Sequence, residues 1–213
     1  MRLDVNNHLA ATARSVSFLD HEGQPASAVI LSRSYATTLG DLWDALTSAD
    51  RIPRWFLPIS GELELGGRFQ FEGNAGGTIT ACERLSRLAA TWEFGPHVSW
   101  VEARVSTDED GRARLTLAHT AHLSEQWDEY GPGATGVGWE MGLLGLTLHI
   151  EHPDEPRPDA STFHTTPDGR ALIVASSEAW GETAIASGTD PQTARAAARR
   201  TTAFYTGEPV EEG

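Results

Sequence analysis

Of the side chains in this 213-residue chain that could do chemistry, His119 has the most informative setting. It stands in Arg114-Leu-Thr-Leu-Ala-His-Thr-Ala-His-Leu123, whose period-two alternation predicts a strand. Side chains alternate across a strand, so His119 shares a face with Leu115, Leu117, Ala121 and Leu123 and is expected to point inward, with His122 solvated on the other side. A neutral imidazole on an apolar face can bind a ligand or take a proton near neutral pH. It can equally be a core histidine satisfied by a backbone carbonyl. Glu140 would need burial and a partner to act as an acid, and the sequence marks no partner, so a solvated carboxylate is expected. His149 and His152 have helical i, i+3 spacing, but Pro153 ends the helix and no third ligand is fixed, so no metal is assigned. Cys82 is the single cysteine, which excludes an internal disulfide and a cysteine-cluster metal site; it reads as a packing residue. No catalytic set emerges, and no cofactor is implied.

The aromatic residues carry the second signal. Trp43, Trp55, Phe69, Phe71, Trp92, Phe94, Trp100 and Trp139 either fill the space under a sheet or line an apolar pocket in it. Ten residues are taken as cavity candidates. Trp55, Phe69, Phe71, Trp92, Phe94 and Trp100 precede His119, and Trp139, Met141 and Leu144 come from a later helix.

Composition narrows the partners. Sixteen basic residues, all Arg, oppose thirty acidic ones, for a net charge of −14. The absence of Lys excludes a lysine Schiff base and a Walker lysine. So negative a chain with no local basic patch repels phosphate backbones, so neither nucleic acid nor anionic membrane is an expected partner. No apolar run approaches the roughly 20 residues needed to span a bilayer. Residues 1–13 carry Asp4, Asn6, Asn7 and His8 rather than an apolar signal region, and a cytoplasmic location is the expectation.

The elements that must position these groups read as follows. Residues 14–35 give two strands around His21-Glu-Gly23. Thr38 caps a helix striped by Leu39, Leu42, Trp43 and Leu46, and a second short helix covers about 50–56. An antiparallel meander follows. Gly61-Glu-Leu-Glu-Leu65 and Arg68-Phe-Gln-Phe71 join through Gly66-Gly67, and strands at 78–83, 88–94, 98–105 and 114–123 continue it. A sheet with one apolar face needs a cover, and Val137–Glu151 is apolar enough all round to be that buried helix, with glycines 131–138 as a flexible approach. Residues 152–166 read as a linker. Beyond it an αα-hairpin over 167–207 has Asp190-Pro191 as a helix start and Gly207 as a stop. Too Ala-rich for a core of its own, it should dock on the main domain, 14–151.

Leu42-Trp-Asp-Ala-Leu46, Arg54-Trp-Phe56, Gly61-Glu-Leu-Glu-Leu-Gly-Gly-Arg-Phe69, Leu88-Ala-Ala-Thr-Trp92, His119-Thr120 and Gly138-Trp139 occur in an order that resembles the homologues of the heat-shock-protein-90 ATPase activator's C-terminal domain. These belong to the START-like, SRPBCC superfamily. The resemblance covers roughly 25–151. It implies an α+β helix-grip fold, a curved antiparallel sheet wrapped around a long C-terminal helix, here with the αα-hairpin added. It also implies a cavity between sheet and helix. Three functions stay open: binding of a small hydrophobic molecule, a chaperone cofactor or self-associating interaction module, and a cyclase or hydrolase with His119 as base.

Overall fold

Six α-helices, eight strands and two short 3₁₀ turns make up the residues that the computed structural model describes, namely 4–154, 158–159 and 162–210. In chain order they are α1 (Val5–Ala10), β1 (Thr12–His21), β2 (Gln24–Tyr35), α2 (Leu39–Thr47), β3 (Ile59–Gly61), β4 (Arg68–Phe71) and β5 (Gly76–Glu83). Then come β6 (Arg87–Phe94), β7 (His97–Thr107), β8 (Ala113–His122), α3 (Glu125–Tyr130), α4 (Gly133–Glu151), α5 (Pro167–Ala186) and α6 (Pro191–Thr206). The strands form one antiparallel sheet in the order β1-β2-β8-β7-β6-β5-β4-β3. The fold class is α+β, as the sequence leads one to expect.

Local chemistry accounts for most boundaries. β1 turns into β2 through Glu22 and Gly23, both left-handed at φ 53° and 79°, the geometry whose twist suits a two-residue hairpin. The Thr38 hydroxyl accepts from the Asp41 amide at 3.2 Å and starts α2. Asp190 caps α6 through the Thr193 amide at 2.9 Å, and Gly207, at φ 71°, ends that helix.

Four expectations are corrected. The strand expected at 61–65 lies earlier, at β3, because Ile59 pairs with Phe71 and Gly61 with Phe69; Glu62–Gly67 is the connection. The short helix at 50–56 contracts to a 3₁₀ turn at Ile52–Arg54. Three of the glycines expected to be a flexible approach are helical: α4 begins at Gly133, and a Cβ on Gly133, Gly136 or Gly138 would strike Thr201, the Trp180 indole or the Tyr205 hydroxyl. These glycines are there for close packing, not for freedom. Cys82 is exposed rather than packed. Residues 155–157 and 160–161 of the expected linker lie outside the described residues.

The chain divides into two units. The first takes in the residues up to Val29, His122–Met141 and those after Asp154. Within it α5 packs on α1, β1 and α6, and Trp180, Leu172, Ile173 and Val137 are wholly buried. The second comprises Ile30–Ala121 and Gly142–Asp154. Its core cluster is Ile52, Phe69, Phe71 and Ile79, with Phe56, Leu57, Leu88 and Trp92 against it.

Candidate ligand site

The second unit gathers aromatic side chains on one sheet face, and the ladder register explains how. Residues paired across an antiparallel ladder share a face. Trp92 pairs with Ser99, Ala90 with Val101, and Val101 with His119, so Trp92, Ser99 and His119 point to the same side. Phe69 and Phe71 on β4 join them, and Phe56 closes the group from just after the 3₁₀ turn. The Trp92 ring lies 5.5 Å from Phe71, 6.4 Å from Phe69, 6.5 Å from Phe56 and 6.1 Å from the His119 imidazole. Phe69 and Phe71 are buried, whereas Phe56, Trp92 and His119 are half-buried. The cluster is therefore packed at Phe69 and Phe71 and keeps some accessible surface at Phe56 and Trp92.

One polar pair sits among these rings. His119 Nε2 is 2.8 Å from Ser99 Oγ, and Ser99 donates to the Trp92 carbonyl at 3.1 Å. A hydroxyl has one proton to give, so Ser99 accepts from His119, whose Nε2 therefore carries a proton. Although the residue keeps some accessible surface, the crowding of protein atoms around its ring pushes the His119 pKa down to about 4. The arrangement does not make Ser99 an activated nucleophile, because the imidazole gives rather than takes the proton between them.

Two further contacts fix the frame. Trp55 Nε1 donates to the Ala45 carbonyl at 2.8 Å, and a Cβ on Gly145 of α4 would strike the Trp55 carbonyl. Arg51 bonds Asp41 at 2.7 Å, Asp44 at 3.0 Å and His149 Nε2 at 3.2 Å. Burial works against the Asp41 charge, but hydrogen bonds from Thr37 and Arg51 together outweigh it and hold the carboxyl below the usual carboxylate range. His149 is engaged by Arg51, and among the described residues no group of three or more His, Cys, Asp or Glu is placed to hold a metal.

The cavity candidates therefore separate. Phe69, Phe71, Trp92 and His119 come together. Trp55 is half-buried beside Phe56, with ring centroids 5.5 Å apart, and Leu144 is buried within the same unit. Trp100 pairs with Thr91 and Thr120, which puts it on the opposite sheet face from Trp92 and His119. Phe94 shares the Trp92 parity but lies at the end of β6, where it is 60% exposed. Trp139, buried, and Met141, half-buried, belong to the first unit. Ser99 and Phe56 are absent from the sequence-derived set. Only the β6–β7 register, set by Gly95-Pro96, could have indicated Ser99.

Glu140 is the clearest reversal. It is wholly buried in the first unit, where Arg14 Nε is bonded to its Oε1. Arg14 also donates to the carbonyls of Thr12 at 3.0 Å and Leu9 at 3.1 Å. Glu140 is 126 positions from Arg14, so local sequence cannot show the partner.

The family model for the activator of Hsp90 ATPase homolog 1-like proteins matches residues 36–151, more than half of the chain. The chain belongs to this family. The activator-homologue match begins next to Tyr35 at the end of β2 and ends with α4, and so spans every residue of the aromatic cluster. Among solved structures, CalU16 from Micromonospora echinospora is 32% identical, with a TM-score of 0.68 over 81% of this chain and 98% of that one. A Mesorhizobium loti protein, 20% identical, shares the fold with a TM-score of 0.53 over 60% of this chain and 99% of its own. The Aha1 dimer from Colwellia psychrerythraea, 15% identical, does so with a TM-score of 0.51 over 60% and 98%. No curated protein matches the chain. No helix among the described residues is long and apolar enough to cross a membrane.

Proposed function

We propose that this activator-homologue protein binds a small hydrophobic molecule against the aromatic face of its second unit. The observation that supports the reading is the accessible surface that Phe56 and Trp92 keep in the cluster with Phe71, with the His119–Ser99 pair beside it. Aromatic surface left half-exposed beside a buried core is unfavourable in water and favourable against an apolar ligand. The Ser99–His119 pair gives such a ligand one polar point of reference, the usual composition of a small-molecule site. Trp55 and Phe69 extend the set, against Phe56 and Phe71. The test is uptake of a fluorescent hydrophobic probe by wild type and by Trp92→Ala. Probe uptake that survives Trp92→Ala unchanged removes the proposal.

The family's description favours a second reading, a chaperone cofactor that works through a protein surface. Adding the chain to an Hsp90-class chaperone and following ATP turnover separates the two: stimulation independent of Trp92 supports the cofactor reading, and no stimulation opposes it.

A further inference from the structure

The last turns of α4 are fastened at two points to the segment that carries Phe56. The first is a close approach: Gly145 has no side chain, and the Trp55 carbonyl lies where its Cβ would stand. The second is a bond to a titratable ring. His149 follows one turn later on the same face of α4, and its Nε2 is 3.2 Å from both Nε and Nη2 of Arg51. Arg51 precedes the 3₁₀ turn, and Trp55 and Phe56 follow it.

The chemistry of the second point admits one protonation state. A guanidinium has only N–H groups to give, so both bonds need the lone pair of His149 Nε2. Arg51 is itself held on α2, where its Nη1 donates to the Asp41 carbonyl at 3.1 Å, Asp41 Oδ1 at 2.7 Å and Asp44 Oδ2 at 3.0 Å. Burial opposes the Asp41 charge, but the Thr37 and Arg51 hydrogen bonds outweigh it, so this anchor stays ionised in mild acid. The other charged and titratable groups beside the ring are Glu151 and His152, at the end of α4, and Arg112, 3.8 Å from Glu151. Glu151 also accepts from the Ala36 amide at 3.3 Å.

A proton on Nε2 removes both bonds and sets a second cation beside Arg51. The imidazolium either repels the guanidinium or takes Asp41 from it, and in both cases the clamp opens. The close approach of Trp55 to Gly145 then loses its support. Phe56 loses its backing with it, since its ring is 5.5 Å from that of Trp55 and 5.0 Å from that of Phe71.

We infer that His149 is a proton-operated latch on the ligand site, closed at neutral pH and released in mild acid, an inference that rests on the ligand-binding reading above. The direction follows from the bonds. They exist only while Nε2 is unprotonated, so the closed state is complete above the ordinary histidine value of about 6.5 and is lost as pH falls below it.

The test uses the full-length chain and Nile red, an uncharged probe, at pH 7.5 and pH 5.0. His119 titrates at about 4 and is still mostly neutral at the lower pH, so it does not enter the comparison. Wild type should bind about tenfold more weakly at pH 5.0, the worth of one or two hydrogen bonds. His149→Gln, whose amide oxygen can accept from Arg51 without titrating, should bind equally at both. In ligand-free, ¹⁵N-labelled wild type, the Trp55 indole N–H resonance should titrate with the same midpoint as the His149 ring. Wild-type affinity that is equal at the two pH values, or an acid loss that persists in His149→Gln, overturns the latch. If Nile red does not bind even at pH 7.5, the ligand reading falls and the Trp55 resonance decides the latch alone. Coincident titration then supports it, and a Trp55 resonance unmoved between pH 7.5 and 5.0 overturns it. The same measurement decides if His149→Gln does not fold.

Discussion

Trp92 and Ser99 are directly opposed on β6 and β7, and the Ser99 hydroxyl folds back onto the Trp92 carbonyl at 3.1 Å while His119 donates to it. This one pairing orders the candidate site. It fixes a proton on the imidazole Nε2, aims the ring at the aromatic cluster and leaves the Trp92 ring between His119 and Phe71, at 6.1 and 5.5 Å.

A neutral histidine crowded by protein atoms makes stability depend on pH in a definite sense. The His119 pKa falls from 6.5 to about 4 on folding, so the unfolded chain takes up its proton first as the solution is acidified. The contribution is therefore fully present above about pH 6.5 and lost as pH falls towards 4, on the order of 3 kcal/mol in all. Urea unfolding at pH 7.5 and pH 4.5 should show His119→Phe losing less stability on acidification than wild type by roughly this amount. Equal losses would mean that the imidazole titrates freely.

Trp92 and Phe94 share a strand parity but differ in burial, which gives a matched pair of variants. Trp92→Ala should abolish uptake of a hydrophobic probe and cost about 2–3 kcal/mol, since the ring is only half-buried. Phe94→Ala, at a residue 60% exposed, should leave uptake unchanged and stability within about 0.5 kcal/mol. Probe fluorescence and thermal melts of both variants measure this contrast.

The Arg14–Glu140 pair should behave as a buried ion pair. Removing Arg14 takes its charge-assisted hydrogen bond away from a wholly buried carboxylate, so Arg14→Ala should cost about 3–5 kcal/mol. Replacing both, as Arg14→Met with Glu140→Leu, should recover most of that loss. A double variant as unstable as the single one, by urea unfolding, would contradict this.

Gly145→Ala sets two effects against each other. Helix propensity favours Ala by about 1 kcal/mol, but the new methyl meets the Trp55 carbonyl, and backbone yields less easily than a flexible side chain. Overpacking of this kind costs about 1–3 kcal/mol, so a net loss of stability is expected, accompanied by weaker probe uptake as Trp55 shifts. A melting temperature at or above that of wild type would show that α4 and Trp55 are not in tight contact.

Period-two alternation located β4 to β8 and put His119 on the same strand face as Leu115 and Leu117, because a half-buried strand must write its burial into the sequence. Caps and stops at Thr38, Asp190 and Gly207 were legible for the same reason: each is a local hydrogen bond or a local dihedral. What local pattern could not carry was distance. Glu140 looked solvated because its partner lies 126 residues away, and Trp100 looked like a pocket residue because its face depends on pairing with Thr91 and Thr120. The glycines of α4 read as a loop since the reasons for them, Thr201, Trp180 and Tyr205, belong to helices much later in the chain.

The most direct test of ligand binding is native mass spectrometry of wild type and Trp92→Ala, each purified from the protein's own host, with extraction of any bound compound. The account predicts a discrete apolar compound on the wild type, released on denaturation and missing from Trp92→Ala. An apo mass for both proteins, or the same compound retained equally by Trp92→Ala, would contradict it.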